Sequence, residues 1–465
     1  MEQKAEEIGE EFIERLSESF NEPSWLRSFR MDAFKTYRTL PEEQSNLYTR
    51  YGIELGVDTK SLERRMDTPI EANGLPMSEI ASGIESGYYY VSTQSETIAS
   101  KNIRDLESKG IVFCDLHEAL EKHEKILETI FQEKAIKPSE DKFAALNTAM
   151  FSTAWMIWVP ENLVLDTPLR LRFYLNSIRP HFSQVWVYAE RGSEVTLLTE
   201  EYGAEIQGVA SDVMEAYIKD NATVRFSNIQ NYSEKTAVLS NRKAICQKDS
   251  RVFWTLGYFG GSAERARLES VFQRDGASAE DVEVVLGTGS QRFDIVSDLT
   301  HLGKFTKGRI LSNGVLRDRS KSVFKGMIRI GKEAKGANAY LAGHSILLSP
   351  DSKSDAIPGL EIETNEVKAT HSASVAQIDQ EQIFYIMTRG LSEDEAKKFI
   401  VLGFIEPAIS RITSEELRDT MRDVVEAKWY GKKGLVKKEK KEVLFAEEQT
   451  VEQPRDIFEG HYKYR

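Results

Sequence analysis

Short strand-like segments separated by turn residues recur at a nearly constant spacing through the middle of the chain. Turn-like triplets at residues 191–193, 219–221, 248–250 and 274–276 each open such a segment. Their first residues are 28, 29 and 26 positions apart (219−191, 248−219 and 274−248), and Lys332 follows 58 positions later, close to two further periods. A repeat of this length with several short strands predicts a β-solenoid, in which each strand stacks on its copy in the next coil. The alternative is an ordinary β-sandwich, whose short strands also alternate with turns.

The proposed solenoid occupies residues 149–380. Alternating apolar and polar residues predict strands there at VWVYA (185–189), TVRF (223–226) and RVFW (251–254). No convincing helical stripe of twelve residues or more interrupts them. The region is therefore expected to be almost entirely β.

An N-terminal domain, residues 1–148, is expected to be mostly helical. Residues spaced by four define one face of a first helix: Trp25, Phe29, Ala33 and Tyr37. A second helical stretch carries apolar residues among charged ones: Leu116, Leu120, Leu127 and Phe131. Between the two, a Gly- and Ser-bearing segment around residues 83–91 is expected to form strands.

A C-terminal domain, residues 381–430, is expected to be helical as well. Ser392 and Glu395 form a capping box, which marks the start of a helix. The residues that follow have amphipathic spacing and define an apolar stripe on the helix: Ala396, Phe399, Ile400, Gly403 and Phe404.

Pro407 is expected to interrupt that helix. Thr413 and Glu416 form a second capping box before another helix. Residues 431–465 begin with a lysine-rich stretch and continue as an acidic tail with little apolar content, which predicts a flexible segment.

Composition excludes several classes of function. The net charge of −13 argues against a general nucleic-acid binder. Cys114 and Cys246 are too few for a disulfide framework, and no apolar run approaches the roughly 18 residues of a membrane span. No GxxxxGK[ST] loop is present for ATP. We expect a soluble, cytoplasmic protein that contacts neither nucleic acid nor membrane.

Three segments resemble one family closely. IPGLEIETNEVKATHSASVAQIDQEQIFYIMTRGLSEDEAKKFIVLGF (357–404) is similar to the SufB/SufD family of iron–sulfur cluster assembly scaffolds. EPSWLRSFRMDAF (22–34) looks like the opening helix of that family, and NGVLRDRSKSVFKGMIRI (313–330) is similar to its core. The resemblance spans nearly the whole chain apart from the tail.

The resemblance implies a right-handed parallel β-helix core flanked by N-terminal and C-terminal helical domains. It implies a non-catalytic scaffold subunit that pairs with a SufB-type paralogue, or with itself, through the β-helix. A SufC-type ATPase is expected to bind the C-terminal helices and to supply the ATP hydrolysis. A transient Fe–S cluster is expected to be shared with a partner subunit, and none is expected on this chain alone, because a four-cysteine site cannot be built from two cysteines.

Two features favour a SufD-type over a SufB-type member. His371 lies between Thr370 and Ser372, where SufB members usually carry two glutamates around the histidine. Gly343 and His344 occupy the positions where a SufB-type cysteine is expected. Against this, the segment AICQKDSRVFWT around Cys246 resembles the SufB segment that holds its core cysteine, so a SufB-like or self-pairing paralogue stays open.

Candidate iron or cluster ligands are His371, His344 and Cys246. A neutral imidazole or a thiolate suits iron, and the resemblance places a histidine of the SufD type at the subunit interface. His344 precedes His371 by 27 positions, close to one period, so the two could lie on adjacent strands and share a metal. The plainer alternatives are a histidine that hydrogen-bonds its neighbours, a solvent-facing His344 and a buried core Cys246.

Two other classes of function remain. A β-helical carbohydrate-active enzyme would need paired carboxylates in a groove, and the core contains acidic residues without a distinctive spacing: Asp294, Asp298, Glu361 and Glu363. A purely structural homodimer is the third possibility.

Overall fold

A computed structural model describes residues 8–41, 87–412 and 415–432 of the chain, with short pieces between residues 62 and 84. The predicted capping box at Thr413 and the predicted flexible tail beyond residue 432 lie outside the described residues. Within the described parts, no helix is both long and apolar enough to cross a bilayer.

The N-terminal region combines helices with three strands. In chain order its elements are α1 (Glu10–Ser19), α2 (Ser24–Thr39), α3 (Met77–Ile80), β1 (Tyr88–Thr93), β2 (Thr97–Lys101), α4 (Ile103–Ser108), β3 (Val112–Asp115), α5 (Leu116–Lys122), α6 (Glu124–Gln132) and α7 (Lys142–Met150). Strand β1 confirms the strand expected near residues 83–91.

Two strands of the N-terminal region join the sheets of the solenoid. The solenoid described below has two sheets. Strand β1 pairs in parallel with the edge of one of them, and β3 pairs antiparallel with the edge of the other. Strand β1 packs on the solenoid through its central residues Tyr90 and Val91, which are buried and extend two neighbouring hydrophobic clusters.

Sixteen consecutive strands build the solenoid, followed by the C-terminal helices. They are β4 (Thr153–Val159), β5 (Leu169–Leu175), β6 (His181–Ala189), β7 (Glu194–Gly203), β8 (Val209–Ile218), β9 (Thr223–Asn231), β10 (Ala237–Cys246), β11 (Arg251–Tyr258), β12 (Ala263–Phe272), β13 (Ser278–Gly287), β14 (Arg292–His301), β15 (Lys307–Leu316), β16 (Lys321–Ile330), β17 (Asn338–Leu347), β18 (Lys353–Ile362), β19 (Lys368–Gln377), α8 (Gln380–Met387), α9 (Glu393–Ile409) and α10 (Glu415–Trp429).

Odd- and even-numbered strands form two separate parallel sheets. From β5 to β19 each odd strand pairs with the next odd strand, and from β4 to β18 each even strand pairs with the next even strand. We call these sheet A (odd) and sheet B (even). One coil therefore consists of one strand from each sheet, and about eight coils stack. This confirms the β-solenoid and excludes the antiparallel sandwich.

One corner of each coil contains the repeat that the sequence shows. Residues 191–193, 219–221, 248–250 and 274–276 come directly before β7, β9, β11 and β13, so one period is one coil. A residue with positive φ occupies this corner in seven coils: Asn162, Gly192, Asn221, Asp249, Gly276, Phe305 and Gly336. Its backbone N–H donates to the corner of the next coil, so the turns form a continuous ladder.

The coil between residues 276 and 332 shows no turn-like triplet in the sequence, although it has the same corner. Phe305 occupies its left-handed corner position with φ +56°. Asn, Asp and Gly adopt this conformation readily, whereas a bulky residue rarely does. The sequence signal, which is a small or polar turn residue, is therefore missing at this corner although the turn is present.

Side chains that point between the two sheets form the main hydrophobic core. Residues in register stack directly on one another, as Val224, Val252 and Ala279 do in sheet A. The rings of Phe226 and Trp254 stack with their centroids 4.1 Å apart. Burial of these ladders supplies the apolar contribution to stability.

The N-terminal helices cover the outer face of sheet B. Their apolar residues pack on Trp186 and Tyr217, which point outward from β6 and β8. Arg30 of α2 is fully buried and forms an ion pair with Glu22 at 2.6 Å. Its guanidinium also donates to the carbonyl of Phe151, which connects α2 to the start of the solenoid.

The C-terminal helices α9 and α10 cover the outer face of sheet A. The predicted capping box of α9 is confirmed, since Ser392 and Glu395 satisfy each other's backbone N–H groups. The amphipathic stripe read from the sequence does not hold at Phe399, because the face that meets the sheet is centred on Val401 and Ile405, and Phe399 lies on the opposite side and is 65% exposed.

The predicted interruption at Pro407 is also wrong, because α9 continues to Ile409. The proline ring needs space beside the carbonyl of Gly403, four residues earlier. Both residues lie on the exposed side of the helix, where water can take the place of the lost hydrogen bond.

Candidate functional site at the open end of the solenoid

The two ends of the solenoid differ. At the N-terminal end the edge strands β2 and β3 have only five and four residues. At the C-terminal end β18 and β19 have ten residues each, and among the described strands each pairs on one side alone. Long, unpaired edges present free backbone donors and acceptors to another strand. We call β18 and β19 the end coil.

His371 lies in the middle of β19, on the row that faces the interior in every earlier coil. Its register partner on β17 is Leu341, which is fully buried in the main core. No described coil covers the end coil, and His371 is therefore exposed. The imidazole thus lies at the mouth of the interior, available to a second molecule that closes this end.

His344 lies one strand away but on the other face of sheet A. Its register partner is Ser374, and its Nδ1 lies 2.7 Å from the Ser374 hydroxyl. Partial burial lowers the pKa of His344, so the ring is neutral at pH 7. The strands are adjacent as predicted, but the register separates His344 from His371 by three positions, roughly 10 Å, on opposite faces. The structure does not bring the two histidines together.

Cys246 lies far from the end coil. It ends β10 with its side chain in the main core and no exposed surface, and burial raises the pKa of its thiol to about 12. Cys114 is buried too, and burial likewise raises its pKa. A thiol with a raised pKa stays protonated at neutral pH, whereas metal binding needs the thiolate. Among the described residues no group of three or more His, Cys, Asp or Glu side chains could hold a metal ion.

An exposed apolar surface lies beside the end coil on α8 and α9. We call it the helical patch. It consists of side chains that are 38–68% exposed: Phe384, Tyr385, Met387, Leu391 and Phe399. Several large exposed apolar side chains on helices that are otherwise anchored to the core are typical of a protein-binding site.

Sequence reasoning missed a set of ionisable residues inside the solenoid. Arg242 forms an ion pair with Asp212 at 3.1 Å, and Glu201 and Glu264 lie nearby on inward rows. Desolvation raises the pKa of Glu264 to about 7 and raises that of Glu201. The signal that could have revealed it is a run of consecutive polar residues inside a core strand, as at residues 240–243 of β10, since such a run must place polar side chains on the inward face as well.

The carboxylates considered for a glycosidase are engaged elsewhere. Asp294 pairs with Lys325 at 3.0 Å and with Arg267 at 3.1 Å on the outer face of sheet B. Asp298 pairs with Arg329 at 2.8 Å. Glu361 lies 3.8 Å from Arg329 as well, so three of the four carboxylates are in ion pairs and give the carbohydrate-active alternative no support.

The fold places the chain among the parallel β-solenoids, and sequence comparison defines the group more closely. Residues 173–404 match the family described as "SUF system FeS cluster assembly, SufBD core domain", and residues 17–171 match "SufBD protein N-terminal region". The chain belongs to the SufBD family of iron–sulfur cluster assembly proteins.

Two relatives show how far the similarity extends. The iron–sulfur cluster assembly protein SufD of Bacillus subtilis (strain 168) is 27% identical over 433 residues, which cover 90% of this chain and 98% of the relative. An iron–sulfur cluster assembly SufBD family protein of Staphylococcus aureus (strain MRSA252) is 27% identical over 426 residues, which cover 88% and 90% of the two chains.

Proposed function

We propose that this chain is a SufD-type, non-catalytic scaffold subunit of a cytoplasmic SUF complex. The end coil pairs with a SufB-type paralogue, the helical patch binds a SufC-type ATPase, and His371 donates one ligand to a transient cluster at the subunit interface. The observation that supports this proposal most directly is the unprotected edge strand β19.

Natural proteins shield the edge strands of their sheets with charge, proline or short length. Strand β19 reads KATHSASVAQ, with ten residues, no proline and a single charge at its first position. Strand addition by a partner sheet would satisfy its free backbone groups. Self-pairing would use the same edge, and the composition of a complex formed with a SufB-type protein distinguishes the two.

His371 is suited to an interface ligand because it is exposed and lies on the interior row. A partner that continues the solenoid would cover this row and place its own side chains opposite the imidazole. The two cysteines of this chain are buried, so the remaining ligands are proposed to come from the partner. The SufD-type assignment is supported by the similarity to the Bacillus subtilis protein.

Replacing His371 by alanine tests the ligand role. We expect an anaerobically co-expressed complex with SufB- and SufC-type partners to keep its composition and to lose most of its iron and acid-labile sulfide. The exposed side chain contributes little to folding, so the loss reports on ligation.

His344→Ala is the matched control, because it removes the same side chain one strand away on the other face. Its cluster content is expected to equal that of the wild type. Unchanged iron and sulfide in a His371→Ala complex of normal composition would reject the ligand role and leave pairing as the remaining part of the proposal.

The helical patch gives a second prediction. Phe384→Ser with Tyr385→Ser is expected to weaken binding of the SufC-type ATPase by about tenfold or more, because exposed aromatic side chains are frequent hot spots. Surface plasmon resonance with the purified ATPase measures it. Phe305→Ser, which removes an equally exposed phenyl group from a solenoid corner, is the control and is expected to change nothing.

A further inference from the structure

A polar groove runs along the second corner of the solenoid, where strands of sheet A connect to strands of sheet B. Its volume is about 770 Å³, within the range of roughly 300–1,000 Å³ usual for small-molecule sites. Every side chain that lines it is polar or charged: Glu234, Ser262, Ser290, Gln291, Arg292, Arg319, Lys321 and Asp351.

Like charges are stacked along one wall of this groove. Arg292, Lys321 and Lys353 are the first residues of β14, β16 and β18, and each is the register partner of the next. Strands in a sheet are about 4.8 Å apart, so these cations face one another directly, which destabilises a sheet. Arg319, two positions before Lys321, adds a further positive charge to the groove.

The charges of the wall are incompletely neutralised by the protein. Lys353 pairs with Asp355 at 3.4 Å. No described residue forms an ion pair with Arg292, Arg319 or Lys321. The two carboxylates of the groove leave it net positive, in a chain whose net charge is −13.

The corresponding positions of sheet A show that this stacking is not a requirement of the fold. The first residues of β11, β13, β15, β17 and β19 are also in register, and there cations alternate with neutral residues: Arg251, Ser278, Lys307, Asn338 and Lys368. The same structural position is thus arranged without repulsion on one corner and with repulsion on the other. A destabilising arrangement that the protein neutralises only in part points to an external anion.

The groove's chemistry limits what this anion can be. Guanidinium and ammonium groups with nearby hydroxyls recognise phosphate oxygens. No apolar or aromatic side chain lines the groove to recognise an organic group. We propose that this groove binds a small polyanion with adjacent phosphate groups, recognised through Arg292, Arg319 and Lys321, with inorganic diphosphate as the simplest member.

Diphosphate titration of the full-length protein by calorimetry, at constant ionic strength, tests the proposal. We expect saturable binding to one site and an affinity at least about tenfold lower in the Arg292→Gln/Lys321→Gln double variant, because two charge-assisted contacts are lost. The same variant is expected to melt at a higher temperature than the wild type without ligand, since the repulsion is relieved.

The matched control is Arg251→Gln/Lys307→Gln, which makes the same charge change at first positions of sheet A. It is expected to bind diphosphate like the wild type. An equal loss of diphosphate affinity in both double variants would overturn the proposed site, because it would show that only general charge screening is present. A calorimetric response of the wild type to diphosphate no larger than its response to chloride would overturn it for the same reason. ADP is expected to bind no more tightly than diphosphate, and clearly tighter binding would overturn recognition through the phosphates alone.

Discussion

Replacing Glu264 and Glu283 by glutamine is expected to stabilise the protein at pH 8 by about 3 kcal/mol for each residue, at 1.36 kcal/mol per pKa unit. Both side chains are fully buried on inward rows of the solenoid, and desolvation raises the pKa of each from 4.5 to about 7. The folded protein must therefore hold two carboxylates whose ionisation it opposes.

The direction of the pH dependence follows from this shift. Below pH 4.5 both carboxyls are protonated in the folded and unfolded states and their ionisation costs nothing. Between about pH 4.5 and 7 the folded state binds more protons than the unfolded state, so stability falls as pH rises. Above pH 7 the whole destabilisation is present. Glutamine cannot ionise, so the gain is largest at pH 8 and disappears near pH 4.5.

Glutamine also fits the local hydrogen bonds at residue 264. One carboxylate oxygen of Glu264 accepts from the amide of Gln230, and the other accepts from the hydroxyl of Ser240. An amide can accept from Gln230 with its oxygen and donate to the Ser240 oxygen with its nitrogen. The substitution therefore removes a charge without leaving a buried group unpaired.

Melting temperatures between pH 5 and 8 measure the effect. Glu363→Gln removes a carboxylate from an exposed position at the end of the solenoid and is expected to leave the melting curve unchanged at every pH. A Glu264→Gln/Glu283→Gln protein that follows the wild type across the whole range would contradict the prediction, because it would show that folding does not raise the pKa of either carboxyl.

The solenoid could be predicted because its corners repeat in sequence. A corner needs a residue in the left-handed conformation, and Asn, Asp and Gly reveal it at residues 192, 221, 249 and 276. Phe305 hides the same turn, since its residue type carries no such signal. The conformational preferences of the turn residues thus revealed the period of the solenoid. They gave no signal at the corner of Phe305, a residue type that rarely adopts the left-handed conformation.

The candidate site could be predicted only in part, because it depends on register. Spacing correctly placed His344 and His371 on neighbouring strands, but register partners on β17 and β19 are 30 residues apart (374−344), three more than the 27 that separate the two histidines. A shift of three positions reverses the face on which a side chain lies. Likewise, the amphipathic spacing in α9 could not show that Phe399 is exposed, since tertiary packing decides which side of α9 meets sheet A.

Replacing Arg242 by methionine is expected to destabilise the protein by about 3–5 kcal/mol at pH 8, because it leaves buried carboxylates without their cation. Arg242 is 1% exposed and pairs with Asp212 at 3.1 Å. The carboxylates of Asp212, Glu201 and Glu264 raise the pKa of the guanidinium, so its charge persists despite burial. It is the cation that these inward carboxylates share.

The methionine variant is expected to recover stability on acidification. Burial already raises the pKa of Glu201 and Asp212, and loss of Arg242 raises both further, so protonation at pH 5 removes the uncompensated charge. Asp212→Asn in the Arg242→Met background is expected to restore part of the stability at pH 8 for the same reason. Urea unfolding at the two pH values measures both effects.

Arg225→Gln is the matched control, because it breaks an ion pair with Glu194 at a partly exposed corner and is expected to cost about 0–1 kcal/mol at either pH. If Arg242→Met were as mild as this control, the interior carboxylates would have to be protonated already in the wild type. Carboxyls that are protonated in the folded protein at pH 8 would have pKa values above 8, and Glu264→Gln would then stabilise the protein at that pH by more than about 3 kcal/mol. The two experiments together therefore decide whether the solenoid keeps ionised carboxylates inside its core around Arg242.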